Sequence, residues 1–215
     1  MLIEAKSKLI MIGDSVTDCG RAQPVGEGLF DAIGNGYVRM VDALLLTGYP
    51  DLAIRVINMG NSGNTSRDLL GRWQIDVIDQ KPDWVSIMIG FNDVWRQYDL
   101  PRQPETHVYL EEYETNLDKM VSQTLPLVKG VILITPFYME PNRSDAMRST
   151  MDQYSAAVAR QAAKHGCFLV NTQKYIDDIL GYMHPNAISW DRIHPNHIGH
   201  MLIARAFLKA IELEY

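Results

Sequence analysis

Five short apolar runs, separated by longer segments of helical periodicity, leave few folds open to this chain. The runs are Lys8 to Ile12, Ile54 to Met59, Trp84 to Ile89, Val131 to Thr135 and Phe168 to Asn171. They are rich in Ile and Val and nearly continuous in apolar residues. Their length suits strands buried on both faces. The segments between them read as helices. In Met147 to His165, Met147, Met151, Tyr154 and Val158 fall on one face. The methionines there read as core filler. Tyr109 to Val121 forms another helix, and Ile198, Met201, Leu202, Arg205, Phe207, Leu208 and Ile211 mark a final amphipathic one. Strand–helix alternation of this kind predicts an α/β fold, a parallel sheet with helices on both faces. The glycine-rich stretch Gly20 to Gly36 is too broken for a strand and reads as a long loop over the carboxyl edge of that sheet.

Residues 1–215 read as one domain, with neither a linker nor an internal repeat. A chain of this length buries roughly 70% of its unfolded surface. The net charge of −6 argues against nucleic acid, which needs Lys and Arg in excess, and against an anionic membrane surface. Two cysteines, Cys19 and Cys167, make no disulfide framework, and Cys167 reads as a buried small hydrophobe. Met1 to Lys8 mixes Glu4, Lys6 and Lys8 with apolar residues, unlike a signal peptide. The apolar runs are too short to span a bilayer. A cytoplasmic protein acting on small, soluble substrates is the expectation.

In doubly wound sheets ligands bind at the carboxyl ends of the strands. Ser15 directly follows the first run, Gly60 to Gly63 the second and Asn92 the third. Asp191 and His194 lie before the last helix, in a loop that can reach the same rim. Ser15 is the candidate nucleophile; as a structural residue it would be a helix cap. His194 is the candidate base, because Asp191, three residues earlier, can hold its ring with Nε2 toward Ser15. His107 and His165 on helical segments, and His184 in a proline-containing loop, lack such a partner at short spacing. Asn92 is the candidate oxyanion donor, with the backbone N–H groups of Gly63 and Ser15 beside it.

Other readings are weaker. His194, His197 and His200 recur every third residue, yet Pro195 separates the first from the helix carrying the others, so no metal is expected. His197 and His200 are then structural or surface residues. Gly60-Asn61-Ser62-Gly63-Asn64 lacks the last glycine of a nucleophile elbow. Cys19 as a nucleophile would need a lowered pKa.

Gly13-Asp14-Ser15, Ser62-Gly63-Asn64-Thr65, Gly90-Phe91-Asn92-Asp93 and Asp191-Arg192-Ile193-His194 together resemble the SGNH (GDSL-type) hydrolases, in order and spacing, across nearly the whole chain. Val16 departs from the family's usual Leu or Ile, a change of apolar bulk only. The resemblance implies a three-layer α/β/α, flavodoxin-like fold with a five-stranded parallel sheet. It implies Ser15, Asp191 and His194 as the triad, Ser15, Gly63 and Asn92 as the oxyanion hole, and no cofactor. Longer stretches, Gly13 to Arg21, Lys81 to Gly90, Asn92 to Tyr98 and Thr150 to Tyr154, look like the bacterial intracellular acetylxylan esterases of that superfamily. Those remove acetyl groups from xylo-oligosaccharides, so the expected partner is a small acetylated carbohydrate. A thioesterase or short-chain lysophospholipase on the same triad is the alternative, since fold alone does not set the substrate. Trp95, Tyr98 and Trp190 flank the catalytic blocks and are candidates to stack on a sugar ring. Trp73 and Tyr215 are read as exposed aromatics available to a homo-oligomer interface.

Overall fold

The computed structural model describes residues 2–213. Its centre is a five-stranded sheet: β1 (Lys8–Gly13), β2 (Arg55–Asn58), β3 (Trp84–Met88), β4 (Gly130–Ile134) and β5 (Phe168–Val170). All pairings are parallel, in the order β2-β1-β3-β4-β5. Every residue of β3 and β4 is buried, as is β1 beyond Lys8, which is why these runs read as unbroken apolar sequence. β5 departs from the expectation of strands buried on both faces. It is an edge strand, with Leu169 37% exposed, and Cys167 before it is only half-buried.

Among the described residues eight α-helices surround the sheet: α1 (Ser15–Asp18), α2 (Tyr37–Gly48), α3 (Ser66–Gly71), α4 (Phe91–Asp99), α5 (Leu110–Thr124), α6 (Ala146–His165), α7 (Thr172–Leu180) and α8 (His197–Ala210). α2, α7 and α8 pack on one another as one layer; α3 to α6 form the other. The three-layer α/β/α expectation holds. The periodic segments are helices α5, α6 and α8, within three residues of the expected ends. Met147, Met151, Tyr154 and Val158 of α6 face the core, as their spacing predicts.

Residues 20–36 form a loop, fastened to the carboxyl end of β2. Gly26 and Asn58 exchange two backbone hydrogen bonds of 3.0 Å, and the Asn58 amide donates to the Ile33 carbonyl at 2.8 Å. One expectation fails outright. Trp73 is 1% exposed, and its indole N–H donates to Thr124 Oγ1 at 2.9 Å, so it serves no interface. Tyr215 lies outside the described residues.

The strand order reverses direction between β1 and β3, and in sheets of this kind the crevice at such a reversal receives the ligand. Gly13 ends β1 opposite Met88 of β3. A Cβ at Gly13 would lie 2.2 Å from the Met88 carbonyl oxygen, so only glycine lets the two strand ends close up there. Ser15 and Asn92 follow immediately on either side of the reversal.

Candidate active site

Ser15 opens the single-turn helix α1. Asp14 caps that turn, its Oδ1 accepting from the Val16 N–H at 3.1 Å, and this leaves the Ser15 side chain at the half-open rim. Ser15 Oγ lies 2.9 Å from His194 Nε2, and His194 Nδ1 lies 2.5 Å from Asp191 Oδ2. The second distance sets the tautomer. Asp191, ionised, accepts the Nδ1 proton, so Nε2 carries a lone pair toward the Ser15 hydroxyl. Asp191 Oδ1 also accepts from the backbone N–H groups of His194 (2.7 Å) and Ile193 (2.9 Å). Burial pushes the Asp191 carboxyl up, but the hydrogen bonds from His194 and Ile193 outweigh it and hold the pKa below the ordinary value. The carboxylate therefore stays charged beside the imidazole.

The loop that carries the pair is itself fastened. Arg192 adopts a left-handed φ of 69°, its carbonyl accepts from Met139 N–H at 2.9 Å, and its guanidinium pairs with Glu140 at 2.5 Å. After His194 comes Pro195, and then Asn196 caps α8, its Oδ1 accepting from Ile198 N–H at 2.9 Å.

The Gly63 turn and Asn92 meet the serine through a lattice of hydrogen bonds. Asn61 N–H donates to Gly13 O at 3.0 Å, and the Asn64 N–H closes the turn onto Asn61 O at 3.2 Å. Gly63 sits in that turn at φ 83°, where a side chain would be strained. Ser62 donates from both N–H and Oγ to Asp18 Oδ2, at 3.0 and 2.6 Å, a structural role that removes it as a nucleophile. Asn92, 3% exposed at the start of α4, donates from Nδ2 to Asn64 O at 3.0 Å. The structure thus joins the Ser15 helix, the Gly63 turn and Asn92 in one network.

Several contributors escaped the sequence reading. Arg72 reaches across three elements, donating to Gly13 O (3.0 Å), Met59 O (2.9 Å) and Asn64 Oδ1 (2.7 Å). Asn58 donates to Thr17 O at 2.7 Å and accepts from Gly60 N–H at 2.8 Å. Asp93, buried, accepts from both Ser66 N–H and Ser66 Oγ. The signals are buried polar groups with distant partners, and spacing along the chain does not carry them.

The other histidines go elsewhere. His200 is buried; its Nδ1 accepts from Tyr37 N–H at 3.2 Å, which leaves the proton on Nε2, 3.4 Å from Cys19 Sγ. Burial, with the nearby His194, lowers its pKa to about 4. His197 is exposed at the start of α8. The three-residue repeat therefore does not converge, and no group of three or more metal-ligating side chains exists among the described residues. His165 does have a carboxylate, Asp118 at 2.6 Å, from another helix. His107 is not helical as expected, but extended, between a 3₁₀ turn and α5. Burial raises the Cys19 thiol to about 12, which keeps it protonated and inert.

Two indoles lie beside the His194 imidazole. The Trp190 ring is 80% exposed and lies parallel to the His194 ring within 11°, centroids 6.0 Å apart. The Trp95 ring is tilted against the same imidazole at 5.5 Å. Tyr98, one turn beyond Trp95, is 40% exposed and commits its hydroxyl to α6, donating to Ala146 O at 2.8 Å.

The sequence profile of the GDSL-like Lipase/Acylhydrolase family matches residues 11–202. The chain belongs to this family. An acetylxylan esterase of Geobacillus stearothermophilus is 57% identical over 215 residues, covering 100% of this chain and 98% of the relative. Crystal structures of catalytic mutants of that esterase, Axe2, superpose on this GDSL-family chain with TM-scores of 0.99 for D191A and 0.98 for H194A, at 57% identity, again over 100% of this chain and 98% of the other. LAE5, an α/β hydrolase from the metagenome of Lake Arreo, Spain, is 54% identical over 99% of this chain and 98% of its own, with a TM-score of 0.97.

Proposed function

We propose that this chain is a serine carboxylester hydrolase that removes acetyl groups from acetylated xylo-oligosaccharides or related short sugars. Ser15 Oγ attacks the acetyl carbonyl while His194 Nε2 takes its proton. The oxygen that gains charge is received by the N–H groups of Ser15 and Gly63 and by Asn92 Nδ2. His194 then returns the proton to the departing sugar oxygen, leaving acetyl-Ser15. Water, deprotonated by His194, attacks that ester; the bond to Ser15 Oγ breaks as His194 returns the proton to it, and acetate leaves. The observation that carries the reading is the continuous Ser15–His194–Asp191 chain at 2.9 and 2.5 Å. The catalytic mutants of Axe2, D191A and H194A, change the same residue types at the same numbers as Asp191 and His194 here.

The acetyl-sugar half of the proposal rests on the similarity to that esterase and on the two indoles. Trp95 and Trp190 offer flat faces beside the imidazole on which a pyranose can stack. Tyr98, one turn further along α4, is the third candidate for such a contact. Residues 1–215 act as one domain in this reading, supported by the single sheet and the single core cluster. We assign it to the cytoplasm, where short imported sugars would be met; no helix among the described residues is long and apolar enough to cross a membrane.

The test is acetate release from acetylated xylo-oligosaccharides and from acetyl-CoA, side by side, for wild type and Ser15→Ala. Release from the sugar that falls by about 10⁶-fold in Ser15→Ala is expected. Activity confined to acetyl-CoA would keep the triad and replace the substrate by a thioester. Activity that survives Ser15→Ala would end the serine mechanism.

A further inference from the structure

We propose that Arg96 is a positioning residue of the oxyanion hole: it sets which way round the Asn92 amide lies, and so aims the amide's second N–H at the reacting carbonyl. The proposal rests on the reading of Asn92 as an oxyanion donor. An asparagine amide has nearly the same shape after a half-turn about its last bond, but the half-turn exchanges an acceptor for two donors. In a hole built for a developing anion that exchange is decisive. One orientation presents N–H to the oxyanion; the other presents a carbonyl oxygen and repels it.

The two ends of Asn92 meet partners of opposite kind. Nδ2 donates to the backbone oxygen of Asn64 at 3.0 Å, an atom that can only accept. Oδ1 accepts from Arg96 Nη2 at 3.2 Å, a group that can only donate. Flipping the amide would set oxygen against oxygen at one end and N–H against N–H at the other. With Oδ1 on Arg96 and one Nδ2 hydrogen on Asn64, the second hydrogen is left for the substrate. Arg96 stands four residues after Asn92 on α4, on the same helix face. Its guanidinium is held in turn by an ion pair with Asp99 and lies over the Trp95 ring, 5.4 Å from its centroid. A cation on the amide oxygen also draws charge away from Nδ2 and strengthens its remaining N–H as a donor.

The experiment compares steady-state hydrolysis of acetylated xylo-oligosaccharide with inhibition by a boronic acid, which adds to a serine as a tetrahedral anion. The variants are Asn92→Ala, Arg96→Met, Arg96→Lys and the double variant Asn92→Ala/Arg96→Met, each first checked by its thermal melt. Arg96→Met is expected to lower kcat roughly 10- to 100-fold, the scale of one charge-assisted hydrogen bond, with KM little changed. Boronic acid affinity should fall in parallel. Arg96→Lys, which restores a charged donor, should recover part of both. The double variant should be no slower than Asn92→Ala alone, because Arg96 acts only through Asn92. Wild-type kcat in Arg96→Met, or a loss that adds in full to that of Asn92→Ala, would overturn the role of Arg96. If Asn92→Ala itself keeps wild-type kcat, the oxyanion assignment falls and the proposal falls with it.

Discussion

Asp14 and Asp93 are the two carboxyls on which the site is most expensive to build. Asp14 uses Oδ1 to cap α1 and leaves Oδ2 buried without a hydrogen-bond partner among the described residues. Burial drives its pKa up to about 8, against the pull of the Val16 N–H. Burial likewise lifts Asp93 to about 7, against the hydrogen bonds from Ser66. An unfolded carboxyl titrates near about pH 4, so the folded chain binds more protons than the unfolded one between that value and about pH 8. Their contribution to stability is complete below the unfolded pKa and is lost as pH rises through 7 to 8. Asp14→Asn, which never ionises, should show a shallower fall of Tm from about pH 5 to about pH 8 than wild type. Thermal melts across that range check this, and parallel slopes would exclude Asp14 as the source. At this scale Ser15, Asn92, Asp191 and His194 were legible, because each declares itself by residue type and near neighbours. Arg72 was not: its bond to Gly13 O spans 59 positions. Trp73 was misread for the same reason, the partner of its buried indole N–H being Thr124, 51 positions on.

Among the elements, α8 has the largest hold on the chemistry without touching it. Its cap, Asn196, stands two residues after His194, so the start of the helix and the end of the Asp191–His194 loop are one piece of backbone. Asn196 also ties that backbone to the preceding turn, its Nδ2 donating to Ala187 O at 2.8 Å and its N–H to Ile188 O at 2.8 Å. Asn196→Ala removes the cap and should cost about 1 kcal/mol in chemical denaturation. It should also lower kcat, as the His194 ring loses its fixed approach to Ser15. Lost stability with an unchanged kcat would show that Glu140 and Met139 alone hold the loop. The helices α5, α6 and α8 were legible from apolar spacing. The left-handed turn at Arg192 was not, because nothing about an arginine there announces a positive φ; it is imposed by the contacts of Asp191, Met139 and Glu140.

Across the whole molecule, the alternation of apolar runs and periodic segments told of a parallel sheet, since parallel neighbours need a crossover between them. The order β2-β1-β3-β4-β5 follows from pairing between runs, to which each run's own composition is indifferent. The edge character of β5 is a product of that order, which is why its sequence looked like the buried strands'. Position along the chain also separates the parts of the candidate site in time of synthesis. Ser15 and His194 lie 179 positions apart, while Ser15, Gly63 and Asn92 all precede β4. On the proposed assignment, a nascent chain leaving the ribosome carries Ser15, Gly63 and Asn92 early, and stays chemically silent until residue 194 has been translated and folded back to Ser15. On that assignment a chain clipped anywhere in the loop before His194 would keep the residues of all five strands and still be inert, so turnover would itself certify a polypeptide made and folded through both Ser15 and His194.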